Sequence, residues 1–196
     1  MASFFVYKYR LLFPKIALDN GQPKLHWWKE VADSMNVDFI NPFIETIDNI
    51  LATMASMTCE HGKAYIKEGV GPLGVVTGVI PMDGDSVHGS LAISFSAGAI
   101  VCISSKMLGE EIAEVDETCH DLTGELTNML SGGARKLLWE KGYNFEMAKP
   151  SLIAGDKDIQ HSISAPVIVI PFTTKAGPFF IEVAIGSKLR RAASVI

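Results

Sequence analysis

The stretch DLTGELTNML, residues 121–130, sets Asp121, Glu125 and Asn128 at i, i+4 and i+7. On a helix this spacing lays two carboxylates and a side-chain amide along one stripe, with Leu122, Leu126 and Met129 along the neighbouring one. At neutral pH the carboxylates only accept hydrogen bonds, whereas the amide donates and accepts at once. Asparagine is a mediocre helix former, so its place inside such a helix, beside an acid and not a base, asks for a reason. The ordinary reading is a solvated face, with the acids toward the N-terminal half where the helix dipole favours them. The next four residues, Ser131-Gly132-Gly133-Ala134, argue for more. An interior glycine costs about 1 kcal/mol relative to alanine, so two in succession point to a helix lying very close to something.

The elements that must carry this stripe can be read from periodicity. The helix is predicted from about Asp116 to Lys141, with Gly142 as a C-terminal stop. An earlier helix is predicted in NPFIETIDNILATM, where Asn41 serves as cap, Pro42 suits the first turn, and Phe43, Ile44, Ile47, Ile50, Leu51 and Met54 recur at helical spacing. AYIKE, GVVTGVIPM and GSLAISF then read as strands bounded by glycine, with hairpin-turn residues in MDGDSVHG between the last two. After the second long helix come NFEMAK, PSLIAG, APVIVIPF and GPFFIEVAI as further strand candidates. Both halves carry a Val-Ile-Pro step, 79–81 and 169–171, where proline removes a ladder donor. A shorter, largely apolar helix, about Ala97 to Leu108 and ended by Gly109, lies between them. The expected fold is therefore α+β, a pseudo-twofold helix-plus-antiparallel-strand repeat whose mostly antiparallel sheet is packed by two long helices.

Composition removes several functional classes. The chain has 196 residues and a net charge of −5, which argues against a dedicated nucleic-acid surface. Its five histidines and three cysteines are scattered, without C-x-x-C spacing, which gives no obvious metal site and suits reduced thiols. The most apolar run, Ser90 to Ile103, is too short and too broken by serine to span a bilayer. The N-terminal segment carries Lys8, Arg10 and Lys15 through its middle, unlike a signal peptide. A cytoplasmic protein without a membrane segment is the expectation.

Several tempting motifs fail on context. Gly69-Val70-Gly71-Pro72-Leu73-Gly74 satisfies G-x-G-x-x-G, but a dinucleotide site needs a helix after the glycines, and Val75-Val76-Thr77 begins a strand. Cys119–His120 and Cys59–His61 lack any supporting motif for thiol–imidazole catalysis. No nucleophile elbow, P-loop or H-E-x-x-H is present. Trp27-Trp28 reads as packing and not as a binding handle.

The body of the chain resembles the CheX type of the CheC/CheX/FliY family of bacterial chemotaxis phosphatases. The resemblance begins at MNVDFINPFIE (35–45) and continues through GSLAISFS (89–96), MLGEE (107–111), GELTNMLSG (124–132) with ARK (134–136), PVIVIPF (166–172) and AGPFFIEV (176–183). The family signature is an Asp or Ser, a Glu four residues on, an Asn three further and a distant Pro; Asp121, Glu125, Asn128 and Pro150 fill those places. The resemblance implies a phosphatase that hydrolyses the aspartyl phosphate of a CheY-like response regulator. It implies Glu125 and Asn128 as the catalytic pair, Glu125 pairing with a lysine of the regulator and Asn128 orienting the attacking water, with Asp121 in the partner-binding face. It also implies a homodimer, no cofactor bound by this chain, and Mg²⁺ in the regulator. The chemistry is consistent with these roles. Phosphoryl transfer needs a positioned nucleophile and neutralised oxygens more than covalent help, and an amide can hold a water where a carboxylate would repel the phosphoryl group. CheC-type members carry the signature twice. Here the first helix has Asn41, Glu45 and Asp48 at that spacing, and Asp48 offers no donor at neutral pH, so one active helix per chain is expected.

This reading divides the chain into an N-terminal extension of unknown origin (1–34), a CheX-like domain (35–186) and a tail (187–196). Gly186-Ser187-Lys188-Leu189 translates two common cloning sites and Arg190–Ser194 resembles a basic kinase-recognition sequence, so the tail reads as cloning-derived. Two rival functions use the same residues: a non-catalytic module that binds a response regulator or a flagellar switch, and a purely architectural dimer.

Overall fold

The sequence pattern becomes a sheet carrying helices on one face. The computed structural model describes residues 37–187, apart from 85, 86, 147, 156 and 164, together with a short antiparallel ladder of β1 (Leu18–Asp19) and β2 (Gln22–Pro23). The Trp27-Trp28 pair and the tail beyond Ser187 lie outside the described residues.

Helix α1 (Val37–Met54) buries Phe39 together with Phe43, Ile47, Ile50 and Leu51 of the periodic face read from the sequence, while Ile44 is half-buried and Met54, in the last turn, is exposed. Its start differs from the expectation. The helix begins at Val37, so Asn41 is no cap and Pro42 lies in the second turn. A proline so near the N-terminus removes a single helical hydrogen bond. The Pro42 carbonyl accepts the Thr46 hydroxyl at 2.7 Å. Helix α2 (Ala97–Leu108) is capped by Ser96 and closed by Gly109 at φ 73°, as its sequence required. Helix α3 (Glu117–Glu140) ends before Gly142, which takes φ 88°.

The strands are β3 (Glu60–His61), β4 (Tyr65–Ile66), β5 (Val76–Asp83), β6 (Val87–Phe95), β7 (Ser151–Ala154), β8 (Val167–Thr174) and β9 (Gly177–Ser187). They form one antiparallel sheet in the order β3-β8-β9-β6-β5-β7, with β4 sharing the outer edge of β8. The pseudo-twofold repeat is visible in that order. β6 and β9 pair at the centre, each flanked by its own hairpin partner, β5 or β8. Each half then lends its edge strand to the other half's hairpin: β4 joins β8, and β7 joins β5. The two prolines sit where no edge partner needs a donor. Pro81 lies beyond the β7 pairing, which uses residues 76–79, and Pro171 lies between the stretches of β8 that pair with β4 and β3.

One strand candidate is overturned. Among its described residues NFEMAK (144–149) forms no strand. Phe145 is instead a single buried anchor, its ring 6.3 Å from that of Phe39, and the Glu146 amide donates to the Asp83 carbonyl. The strand at Glu60–His61 had no counterpart in the sequence reading, and β9 runs one residue into the expected tail.

Alternation along the strands divides the faces. Ile80, Met82, Leu91, Ile93, Phe95, Ile168, Ile170, Phe172, Phe179, Ile181 and Val183 join the helices in the main core. The opposite face buries Val79 and Ala92 under Ile159, with Thr77, Ser90, Ser94 and Glu182. There the Glu182 carboxylate, fully buried, meets Lys67 Nζ at 2.7 Å and His161 Nε2 at 3.2 Å. These two contacts pin residues on both sides of the sheet's centre to its back face.

Candidate functional site

Helix α3 is held in place through its N-terminal cap and its inner face. Asp116 is the N-cap, its carboxylate accepting the Cys119 amide at 3.0 Å. That backbone N–H is the main reason the Asp116 carboxyl is held below the usual carboxylate range. The inner face buries Cys119, Leu122, Thr123, Leu126, Thr127, Leu130, Ser131, Ala134 and Leu138. The two buried threonines would be costly without partners. Their hydroxyls donate to carbonyls one turn back, Thr123 to Cys119 at 2.8 Å and Thr127 to Thr123 at 2.6 Å.

Two glycines let this face come close to its neighbours. A Cβ on Gly78 of β5 would collide with the Thr127 hydroxyl, and a Cβ on Gly133 would lie 2.5 Å from Thr46 Cγ2 on α1. The small-residue patch therefore does what its composition suggested, although Gly132 takes no part: nothing lies within 4 Å of a Cβ built there.

The outer face carries the stripe. Asp121 and Glu125 are exposed and Asn128 is half-buried, and none of the three side chains makes a hydrogen bond or ion pair to another described residue. Asn128 stands between Gly124 and Gly132, its i−4 and i+4 neighbours, so no side chain occupies either of those two positions beside the amide. Pro150, the distant member of the sequence signature, immediately precedes β7, the edge strand beside α3.

The corresponding stripe on α1 is chemically different. Asn41, Glu45 and Asp48 are all exposed, but Asp48 Oδ1 accepts the Cys59 thiol at 3.1 Å. Burial, reinforced by that hydrogen bond and by the Asp48 charge, pushes the Cys59 thiol up to about 12. Asp48 is thus an acceptor already engaged within its own chain, with no N–H to offer.

The other motifs found in the sequence stay apart from this site. The Gly69–Gly74 loop leads into β5 and not into a helix. Cys119 is buried in the core and His120 is half-buried on the first turn of α3. Among the described residues no group of three His, Cys, Asp or Glu side chains forms a candidate metal site, and no helix is long and apolar enough to cross a membrane. Sequence reasoning missed the Lys67–Glu182–His161 cluster, whose members come from three distant segments and meet only through the sheet.

Comparison with known proteins bears on the same residues. The sequence pattern of the family described as chemotaxis phosphatase CheX matches residues 76–173, a span that includes all of α3 and Pro150. No curated protein sequence matches the chain. Among solved structures, a CheC-like superfamily protein from Shewanella sp. PV-4 is 44% identical, with a TM-score of 0.71, over 78% of this chain and 99% of that one. The chemotaxis protein CheX from Vibrio vulnificus is 37% identical, with a TM-score of 0.71, over 76% of this chain and 100% of that one. CheX from Borrelia burgdorferi, solved in a complex with CheY, BeF3 and Mg²⁺, shares the fold at 24% identity and a TM-score of 0.62, over 76% of this chain and 99% of that one. With a family pattern that runs from β5 through α3 into β8, and relatives more than a third identical along their whole length, the chain belongs to the CheX family.

Proposed function

We propose that this chain is an aspartyl-phosphate protein phosphatase that hydrolyses the phosphoryl group of a CheY-type response regulator. The observation that carries the reading is the outer face of α3: Glu125 and Asn128 point away from the core, unpartnered within the described chain, on a helix whose inner face is locked by burial and close packing. Such a face is available to another protein.

In this mechanism the regulator brings the phosphoryl group and its own Mg²⁺, which neutralises the phosphoryl oxygens. Glu125 pairs with a lysine in the regulator's phosphorylation pocket and fixes the register of docking, with Asp121 one turn away in the same contact face. Asn128 enters the pocket and holds a water in line with the phosphorus, donating through its amide N–H and accepting through its carbonyl oxygen. Little covalent work falls to the protein; positioning provides the acceleration. A fixed helix suits this role, because a displacement of about 1 Å of a positioning group can cost a hundredfold in rate. That a CheX of the same fold has been solved with CheY, BeF3 and Mg²⁺ supports the choice of partner. Membership of a chemotaxis phosphatase family supports the reaction.

We assign the active role to α3 alone, since Asp48 replaces the amide on α1. A homodimer, acting in the cytoplasm, completes the proposal by family resemblance; sedimentation equilibrium at micromolar concentration would test the dimer, and a monomer would contradict it. The reaction is tested with a CheY-type regulator charged by acetyl phosphate in the presence of Mg²⁺. Phosphate loss faster than the regulator's own decay is expected. Binding without acceleration would make this a capture module, and neither would leave an architectural role.

A further inference from the structure

The surface beside Asn128 has a second wall that the signature residues do not include. Leu152 of β7 pairs across the sheet with Gly78, the residue beneath Thr127. That register turns its side chain to the helix-bearing face, and a Cβ on Gly124 would lie 3.9 Å from both Leu152 methyl carbons. Gly124 is three residues after Asp121 and four before Asn128, so Leu152 rests on the helix turn between them. It is 45% exposed, whereas Leu122, Leu126, Leu130 and Leu138 of α3 are buried. The other half of the fold lacks this arrangement: at the same place between Asn41 and Asp48 stands Ile44, which lines a groove with Tyr65 and Ile66.

We propose that Leu152 is a specificity-determining contact for the regulator, packing on an apolar side chain at the rim of the phosphorylation pocket while Asn128 enters it. This rests on the phosphatase reading above. The charged contact through Glu125 would suit any receiver with a lysine in its pocket, so it steers encounter without choosing among receivers. An apolar patch continuous with that contact discriminates, because a receiver that presents a polar group to it leaves that group desolvated and unpaired. Gly124 and Gly132 leave the helix surface low on both sides of Asn128, which lets the partner descend far enough to cover Leu152.

The test uses a CheY-type receiver charged with acetyl phosphate and Mg²⁺. Losing burial of roughly half a leucine side chain, Leu152→Ser should raise KM about three- to tenfold with kcat within about twofold. Leu152→Met should restore a near-wild-type KM. In the same series Asn128→Ala loses kcat. An unchanged KM in Leu152→Ser would overturn the inference while leaving the phosphatase reading intact. Should the wild-type protein fail to accelerate phosphate loss, the phosphatase reading falls, and the contact is then judged on binding of the receiver loaded with beryllofluoride. Weaker binding by Leu152→Ser supports the contact, and equal binding overturns it. A Leu152→Cys variant gives a measurement independent of folding effects: adding the loaded receiver should slow alkylation of that cysteine, and an unchanged rate would count against the proposal.

Discussion

Gly133 of α3 and Thr46 of α1 meet so closely that a Cβ on the glycine would lie 2.5 Å from Thr46 Cγ2. The neighbouring Gly132 faces open space. Two adjacent glycines of one helix should therefore respond to substitution with opposite signs. Gly132→Ala gains helix propensity without a clash and should stabilise the protein by up to about 1 kcal/mol. Gly133→Val forces the helices apart and should cost about 1–3 kcal/mol. Urea unfolding of both variants, monitored by circular dichroism, checks the pair, and equal shifts would contradict the packing described.

The buried cluster on the back of the sheet makes a second prediction. Lys67 and Glu182 are both almost inaccessible and 2.7 Å apart. Lys67→Met removes the close cation and leaves a buried carboxylate with His161 alone, at a cost of about 3–5 kcal/mol. Removing both charges, as Lys67→Met with Glu182→Leu, should recover most of that loss. Denaturant midpoints decide it: a double variant no more stable than the single one would show that the charges are not the cause. The cluster lies across the sheet from α3, so folded Lys67→Met should retain its rate of phosphate release.

The N-cap of α3 supplies a pH dependence. The Asp116 carboxyl is held low in the folded chain chiefly by the Cys119 amide. A depressed carboxyl binds fewer protons folded than unfolded, so its contribution is fully present above the ordinary carboxylate range and is lost as the pH falls through the lowered folded value. Asp116→Ala should melt below wild type at pH 7, and the gap should close toward pH 3. A gap that stays constant over that range would mean the cap acts without its charge.

The parts of this fold that the sequence declared are those in which local periodicity and global packing agree. The buried face of α3 repeats at three and four residues, and Gly109 and Gly142 stop their helices at left-handed φ values. NFEMAK misled because Phe145 is one anchor dropped into the core from a loop, and a single buried aromatic imitates half a strand. Asn41 misled because the helix began earlier and kept its proline within the second turn. Glu182, Lys67 and His161 could not be connected in advance, since strand order brings them together and no spacing encodes it. The candidate site was legible in a different way. The spacing of Glu125 and Asn128 is common, and its meaning came from the family pattern around it; the exposure of Leu152 depended on β7 being an edge strand.

The proposed division of labour, in which Asn128 positions a water and Glu125 anchors the partner, has a decisive assay. It measures phosphate release from an acetyl-phosphate-charged CheY-type regulator, beside the affinity for its beryllofluoride form, for wild type, Asn128→Ala and Glu125→Ala. Asn128→Ala should lose about a hundredfold or more of the acceleration, the usual effect of deleting one positioned donor, while binding within about threefold of wild type. Glu125→Ala should weaken both rate and affinity, the latter about tenfold or more. Wild-type rates in both variants would refute this assignment of roles.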